Sequence, residues 1–350
     1  MKFKVRADLD LAQRCLLVVI ISITLSYIIS FLLLSQYLLC QLFLTLGLGF
    51  AILQSSVQLE AEDKTVLITG CDTGFGLVLA KHLHSLGFTV FAGCLLADRD
   101  GMGAAELRQT GSKKMHVLQL DVTNQEDWSK VKQYIEKNIP TTANGLWGLV
   151  NNAGWATFGE VEWVSMENYK KAMDVNLNGA ILGIKTMLPL IRQAKGRIVT
   201  ITSGLGRFAV PTRSPYVASK YALEGFLDCL RYEMTSFGVS VSLLEPGNFI
   251  AGTNIFNEKF VKSQAEEMWA NMNPEVKIAY GREHFDKKVD VMNSYMLNGC
   301  TDISPVIDSY TDALLDVFPQ VRYQPMDLYF KTRCFIATHF PERIYQILYL

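Results

Sequence analysis

The sequence predicts an α/β fold, a doubly wound parallel sheet in one large domain behind an apolar N-terminal segment. Short runs rich in Val, Ile and Leu alternate with amphipathic stretches from residue 64 onwards. The runs are almost continuously apolar, which is typical of parallel strands covered on both faces. In chain order they read KTVLITG, FTVFAG, MHVLQLDV, GLWGLVNNAG, GRIVTITS and VSVSLLEPG. Right-handed crossovers through stretches such as FGLVLAKHLHSLG then give the doubly wound arrangement.

Composition excludes several classes of protein. The chain has 350 residues and a net charge of −1. It therefore lacks the excess of basic residues that would indicate a nucleic-acid partner. Its seven cysteines are scattered, without a Cys-x-x-Cys pair or a cysteine–histidine cluster at metal-ligand spacing. We therefore expect no metal site and no disulfide framework.

The N-terminal segment differs most from the rest of the chain. We predict a polar start at residues 1–14, an apolar membrane anchor at 15–54 and a polar hinge at 55–63. No charged residue occurs from Cys15 to Leu59. Since about 20 helical residues cross the ~30 Å hydrocarbon core of a bilayer, this run is long enough for two passes.

Polar residues near the middle of the apolar run favour two transmembrane passes, at 15–34 and 37–54, over one long helix. These residues are Ser35, Gln36 and Gln41. A buried helix pair in a soluble protein is the alternative, and a cleaved signal peptide fits less well because its apolar core is shorter.

Charges at the start of the chain bear on its location. Cations before the apolar run favour a cytosolic N-terminus. Two passes would return the large domain to the cytosolic side, whereas one pass would place it in the lumen. The sequence is compatible with either number of passes. Asp8 and Asp10 interrupt the basic start, so we expect the endoplasmic reticulum membrane, with the mitochondrial inner membrane as the alternative. The cations are Lys2, Lys4, Arg6 and Arg14.

The large domain is predicted at residues 64–326. From about 250 to 300 the pattern becomes irregular and rich in Met, Asn, Lys and Glu, which indicates a helical flap over the site. The aromatic-rich segment at 327–350 is partly amphipathic. It is predicted to lie against a bilayer interface or to pack on the sheet edge or on a dimer partner.

The first strand-to-helix turn carries the sequence TGCDTGFG, with Gly70, Gly74 and Gly76. Glycines there let the backbone approach a diphosphate, and the helix N-terminus adds amide donors and a favourable dipole. The alternative is a glycine turn that serves close packing alone.

Three further motifs follow in order. NNAG ends the fourth apolar run, at the sheet edge where ligands bind in such folds. The fifth run ends at Ser203. Tyr216 and Lys220 come next, and their spacing places both side chains on one face of a helix.

The order TGxxxGxG, NNAG, Ser, YxxxK and PG resembles the short-chain dehydrogenase/reductase family, over residues Lys64 to about Met326. The resemblance implies a Rossmann-type fold, a nicotinamide dinucleotide cofactor and hydride transfer between a secondary alcohol and a ketone. It implies that Ser203 holds the substrate oxygen, Tyr216 transfers its proton, and Lys220 holds the nicotinamide ribose. Asn176 matches the position that supports a proton path, and Asn178 is its competitor. The implied cofactor-binding residues are Gly70, Cys71, Asp72, Thr73, Gly74, Phe75, Gly76, Asp121, Asn152, Ala153, Gly154, Lys220, Pro246 and Gly247.

The chemistry accounts for the tyrosine–lysine pair. A phenol with a pKa of about 10 is a poor base at neutral pH. We expect the ammonium one helical turn away to favour the phenolate and lower that pKa.

NAD is predicted over NADP. NADP users of the family place a cation in the glycine turn or just after the second strand. Here the turn contains Asp72, and the second run leads into Cys94, Leu95 and Leu96, with no cation before Arg99. The ribose-binding acid expected about 20 residues after the turn is also missing.

Longer stretches such as TFGEVE, LPLIRQAKGR and TDISPVID resemble the hydroxybutyrate dehydrogenase branch of the family, whereas the apolar N-terminus resembles its membrane-bound 17β-hydroxysteroid and retinol dehydrogenases. A short hydroxy acid needs a cation for its carboxylate, and a steroid or retinoid needs an apolar pocket. Arg213 is the favoured cation, although an exposed, solvated Arg213 is equally compatible with the sequence. Arg207, Lys259 and Lys262 are the other candidates.

Four aromatic residues are candidates for an apolar pocket, or for core packing: Trp155, Phe208, Phe249 and Phe256. A hydroxybutyrate-type substrate is favoured, a lipophilic alcohol is the alternative, and a scaffold that binds NAD without turnover is less favoured. By analogy with the family, we expect a homo-oligomer formed through a helix like 214–236.

Overall fold

In the computed structural model, the described residues are 9–30, 36–54, 57–253 and 255–349. Parts of the predicted polar start, apolar run and hinge fall outside them. The chain divides into two compact units, Met1–Glu60 with Leu315–Pro319, and Ala61–Leu314 with Gln320–Leu350.

Each strand from β1 to β6 of the described residues is followed by at least one helix. The strands are β1 (Thr65–Thr69), β2 (Thr89–Cys94), β3 (Met115–Gln119), β4 (Gly148–Asn151), β5 (Arg197–Ile201), β6 (Ser240–Leu244) and β7 (Arg322–Tyr323). The helices are α1 (Leu9–Ser30), α2 (Gln36–Gln54), α3 (Gly74–Ser85), α4 (Met102–Arg108), α5 (Gln125–Asn138), α6 (Met166–Met173), α7 (Gly179–Ala194), α8 (Ser214–Met234), α9 (Glu258–Asn271), α10 (Pro274–Leu297), α11 (Ser304–Leu315), α12 (Leu328–His339) and α13 (Glu342–Tyr349).

The smaller unit contains α1 and α2, which pack against each other. They approach closely at Gly47, where an added Cβ would lie 2.5 Å from Cγ1 of Val18. Gln58 forms an isolated antiparallel bridge with Asp316 of the 315–319 segment. Large apolar side chains on both helices are exposed, among them Leu16, Tyr27 and Leu46.

Among the residues described, no helix combines the length and apolar character needed to cross a membrane. The two predicted passes therefore stay a prediction.

The larger unit contains a parallel sheet of seven strands in the order β3-β2-β1-β4-β5-β6-β7. This confirms the predicted Rossmann-type, doubly wound parallel sheet. The strand order reverses between β1 and β4, which is the point where such sheets leave a crevice at the strands' carboxyl ends. The short strand β7 was not predicted, because two residues carry no recognisable pattern.

Helices cover both faces of the sheet, so β1, β2, β4 and β5 are buried throughout. Trp128 of α5 is the largest fully buried side chain, and its indole N–H donates to the Val122 carbonyl at 2.9 Å. That bond satisfies the one polar group that this ring carries into the core.

The irregular region of the sequence forms α9 and α10. Their apolar faces pack with Phe158, Trp163 and Phe256 in a separate cluster. The path of α10 breaks at Gly281, whose φ of 74° favours glycine. The C-terminal helices α12 and α13 pack against Phe208 of the same unit, through Cys334 and Tyr345.

Candidate active site

A cavity of about 920 Å³ lies at the carboxyl ends of the parallel strands. Loops after β1 to β6 form its walls, together with α6, α8, α9 and α10. The glycine turn, the NNAG motif and Ser203 lie at these same ends of β1, β4 and β5.

Glycine is required at two positions of the first turn by packing. At Gly70, with φ of 71°, an added Cβ would lie 2.8 Å from the Ala153 Cα, and at Gly76 it would lie 2.2 Å from the Gly70 carbonyl oxygen. No side chain caps the N-terminus of α3 at Thr73, and Thr73, Gly74 and Phe75 line the cavity. The helix end can therefore present amide groups to an anion such as a diphosphate.

Cys71 belongs to the same turn but faces the core. Its thiol is fully buried, donates to the Ile68 carbonyl, and does not line the cavity. Burial raises its pKa well above the usual value. Cys71 supports the turn and offers no side-chain contact to a cofactor.

Asn152 connects the ends of β1 and β4. Its amide nitrogen donates to the carbonyls of Thr69 and Gly70 at 2.9 and 3.1 Å. The backbone amides of Asn152 and Ala153 donate to the Thr69 hydroxyl, each at 3.0 Å. Tyr310 of α11, which is fully buried, donates to the Asn152 side-chain oxygen at 3.1 Å. These bonds fix the glycine turn relative to β4.

Ser203, Tyr216 and Lys220 meet inside the cavity. Ser203 ends β5, and its hydroxyl hydrogen-bonds Tyr216. The Lys220 ammonium donates to the Ile201 carbonyl at 3.0 Å and lies 5.5 Å from the centre of the Tyr216 ring.

The pKa of Tyr216 departs from the expected direction. Burial raises it to about 12, while the hydrogen bond from Ser203 and the charge of Arg213 act to lower it. Lys220 is not among the groups that lower it, and its ammonium donates to the Ile201 carbonyl. Burial also lowers the pKa of Lys220 to about 8, against the opposing charge of Glu224.

Asn176 lies in a π-helical turn, Asp174–Asn178, between α6 and α7. Its side chain accepts from the Trp155 amide at 2.8 Å and donates to the Trp155 carbonyl at 2.8 Å. It also donates to Ser219 at 2.9 Å, and Ser219 bonds the Tyr216 carbonyl at 2.8 Å. The competitor Asn178 is bonded to Asp174 instead, and neither asparagine lines the cavity.

Arg213 lines the cavity beside Tyr216 and is only 8% exposed, so the solvated alternative for this residue is wrong. Its guanidinium stacks on the rings of Phe256 and Tyr295, at 5.5 and 5.0 Å from their centres. No carboxylate within the described part of the chain pairs with it. An enclosed cation that faces a cavity without an acid partner has the charge and the access to bind an anion.

Other candidates of the substrate site lie elsewhere. Arg207 approaches Glu224 at 3.9 Å and does not line the cavity. Lys259 and Lys262 are exposed on α9 and do not reach it. Phe208 packs with the C-terminal helices, which is the core-packing alternative for this residue. Trp155, Phe249 and Phe256 do line the cavity.

The remaining predicted cofactor residues surround the cavity: Asp72, Asp121, Ala153, Gly154, Pro246 and Gly247. The functional roles of all the predicted site residues remain predictions.

Two residues of the site were not predicted from the sequence. Tyr295 of α10 faces the cavity between Arg213 and Tyr216, and Tyr310 orients Asn152. Both come from helices distant in sequence from the motifs they meet. No local pattern around them marks the contact.

Comparisons with known proteins define the class. A family model described as short chain dehydrogenase matches residues 64–263. The chain belongs to the short-chain dehydrogenase family and is an oxidoreductase of the CH–OH class.

Hydroxybutyrate, retinol and hydroxysteroid dehydrogenases are among the similar proteins. D-beta-hydroxybutyrate dehydrogenase, mitochondrial, of Mus musculus is 49% identical over 290 residues, which cover 83% of this chain and 84% of that protein. Retinol dehydrogenase 7 of Mus musculus is 38% identical, over 75% of this chain and 80% of that protein. 17-beta-hydroxysteroid dehydrogenase type 6 of Homo sapiens is also 38% identical, with the same two coverages of 75% and 80%.

Solved structures agree with the fold. A short chain dehydrogenase/reductase from Burkholderia phymatum in complex with NAD has a TM-score of 0.62 at 18% identity, covering 83% of this chain and 96% of that one. A short-chain dehydrogenase from Streptomyces avermitilis has a TM-score of 0.61 at 22% identity, covering 78% and 91%. At these identities the likeness concerns the fold alone.

Proposed function

We propose that this protein interconverts a 3-hydroxy acid and the corresponding 3-keto acid with NAD as cofactor, as the name of its hydroxybutyrate relative suggests. The observation that carries the proposal is Arg213. This buried cation has no acid partner in the described structure and lines the cavity beside Tyr216. A carboxylate on the substrate would supply the missing partner.

Ser203 and Tyr216 would bind the reacting oxygen. Ser203 polarises it, and Tyr216 exchanges a proton with it. A pKa of about 12 keeps the phenol protonated, which suits proton donation to a ketone. In the oxidation direction, Ser203 and Arg213 lower the cost of forming the phenolate. NAD⁺ supplies the hydride acceptor, and Lys220 would bind its ribose.

The choice of NAD over NADP is supported by the charges of the cavity. Around Asp72 and Asp121, the walls contain Leu95 and Leu96 but no described cation. The lining lysines belong to α6 and α8, and the lining arginine, Arg213, directly precedes α8. A 2′-phosphate would therefore meet acids and apolar groups.

Arg213→Gln tests the substrate class. We expect KM for 3-hydroxybutyrate to rise at least about tenfold, because an uncharged amide cannot replace a charge-assisted bond to the carboxylate. The dissociation constant of NADH should not change. Arg207→Gln is the matched control, since Arg207 is a nearby cation outside the cavity. An unchanged KM in Arg213→Gln would contradict the carboxylate role.

A second candidate function is the oxidation of a lipophilic alcohol. The aromatic walls at Trp155, Phe249 and Phe256 favour it, as do the retinol and hydroxysteroid dehydrogenases among the relatives. Under this alternative, Arg213 contributes packing through its two stacked rings. Binding of NADH without turnover of any of these alcohols would instead indicate a scaffold.

We propose attachment to a membrane through α1 and α2, where Leu16, Leu17 and Ile20 of α1 are between 53% and 60% exposed. The endoplasmic reticulum is the proposed site, and the mitochondrial inner membrane is the alternative. Recovery of the protein in the soluble fraction after cell lysis would contradict attachment.

A homo-oligomer formed through α8 is proposed by analogy with the family. Tyr221 and Tyr232 of this helix are 44% and 70% exposed and could contribute to such an interface. A monomer mass at micromolar concentration would contradict the oligomer.

A further inference from the structure

The carboxylate of Asp72 lies across the end of a neighbouring strand. Its two oxygens accept hydrogen bonds from the backbone amides of Leu95 and Leu96, at 2.8 and 3.0 Å. These residues directly follow β2, whereas Asp72 follows β1. The carboxylate therefore lies at the end of β2, although Asp72 belongs to the turn after β1.

The strand register explains this reach. Thr69 at the end of β1 is paired with Gly93 near the end of β2. The Cys71 amide then donates to the Gly93 carbonyl at 2.9 Å, which keeps the turn beside β2. The start of α4 holds the Asp72 backbone closely, since a Cβ on Gly103 would lie 2.1 Å from the Asp72 carbonyl oxygen.

In dinucleotide-binding sheets, the residues at the end of the second strand recognise the adenosine ribose of the cofactor. An acid there accepts hydrogen bonds from the hydroxyls of the adenosine ribose in NAD, whereas a cation there accommodates the 2′-phosphate of NADP. In this chain Cys94, Leu95 and Leu96 provide neither. Asp72, Leu95 and Leu96 all line the cavity, so the carboxylate stands where the sequence lacks an acid.

The carboxylate also retains the capacity to bind. Two oxygens offer about four lone pairs, and the two amide bonds use two of them. No described lysine or arginine is paired with Asp72, so its negative charge is not neutralised locally. The fixed geometry holds that charge towards the cavity.

We infer that Asp72 is the ribose-binding acid, supplied by the glycine turn in place of a residue after β2, and that it selects NAD by repelling a 2′-phosphate. This inference rests on the proposed NAD dependence. It assigns that preference to a single side chain.

Direct binding measurements test the inference without turnover. Dissociation constants of NADH and NADPH are measured by calorimetry for the wild type and for Asp72→Asn. We expect the wild type to favour NADH and the variant to reduce this preference at least about tenfold, because the repelling charge is gone. Asp72→Ser, whose hydroxyl still accepts an amide bond, replaces the asparagine variant if that variant does not fold.

Gln119→Ala is the matched control. Gln119 holds the same loop by bonding the Leu95 carbonyl and the Asp98 amide, but it does not line the cavity. Its loss should leave the ratio of the two constants unchanged. A wild-type preference for NADH that persists within about twofold in the Asp72 variant measured overturns the inference. A wild type that binds NADPH as tightly as NADH overturns the proposed cofactor instead.

Discussion

At the scale of single residues, burial is what gives the site its unusual groups. Lys220 is 2% exposed and Arg213 is 8% exposed, and neither has a carboxylate bonded to it in the described structure. Removing a cation from water raises its free energy unless an anionic or polar partner compensates for the lost hydration. Two such desolvated cations lie beside Tyr216, which is typical of a site that binds anionic or electron-rich ligands.

The buried ammonium of Lys220 predicts a pH dependence of stability. Its folded pKa of about 8 lies below the usual 10.5, so the unfolded chain binds this proton more readily between those values. The contribution of Lys220 to stability therefore rises as the pH rises from 8 to 10.5 and falls as the pH falls. Lys220→Met should be the more stable protein at pH 8, and its advantage should shrink by about 3 kcal/mol by pH 10.5.

Urea unfolding of both proteins at several pH values measures this difference. Lys259→Met, at an exposed position of α9, is the matched control and should show no such trend. An advantage of Lys220→Met that stays constant from pH 8 to 10.5 would contradict the assigned burial effect.

At the scale of elements, much of the site follows from the strand ends. The six apolar runs predict β1 to β6, and the motifs after them predict the turn at Gly70, the loop at Asn152 and the position of Ser203. Local patterns suffice there because each motif directly follows its own strand. The contribution of the helices could not be predicted in this way. Tyr295 and Tyr310 reach the site only through the packing of α10 and α11, and Arg213 is buried only because Phe256 and Tyr295 cover it.

The bond between α11 and β4 gives an element-scale prediction. Tyr310→Phe removes the donor to the Asn152 side-chain oxygen and leaves that acceptor without its bond. We expect the free energy of unfolding to fall by about 1–3 kcal/mol. The dissociation constant of NADH should also rise, because Asn152 holds the glycine turn. Urea unfolding and calorimetry measure the two effects.

Tyr329→Phe on α12 provides the comparison, because Tyr329 is 57% exposed and lies outside the proposed α8 interface. It should change neither quantity. Equal stability and equal NADH affinity in Tyr310→Phe and the wild type would show that the α11 bond does not position the turn.

At the scale of the whole molecule, two features bear on the substrate and on the location of the protein. The larger unit carries a cavity with a buried cation, as a hydroxy acid requires, together with aromatic walls. The smaller unit exposes apolar helices. Sequence similarity covers 83% of the chain for the hydroxybutyrate enzyme and 75% for the retinol and hydroxysteroid enzymes, so overall likeness does not decide the substrate. Arg213 is the feature of the site that favours the hydroxy acid.

The most direct test of the proposed function compares kcat/KM of the wild type with NAD⁺ for 3-hydroxybutyrate, retinol and a 17β-hydroxysteroid. Tyr216→Phe is the catalytic control and should lose about 10²–10⁴-fold in rate. We expect 3-hydroxybutyrate to be the preferred substrate, since only it supplies a carboxylate to Arg213. A higher kcat/KM for retinol or the hydroxysteroid, with no measurable turnover of 3-hydroxybutyrate, would contradict the proposed function.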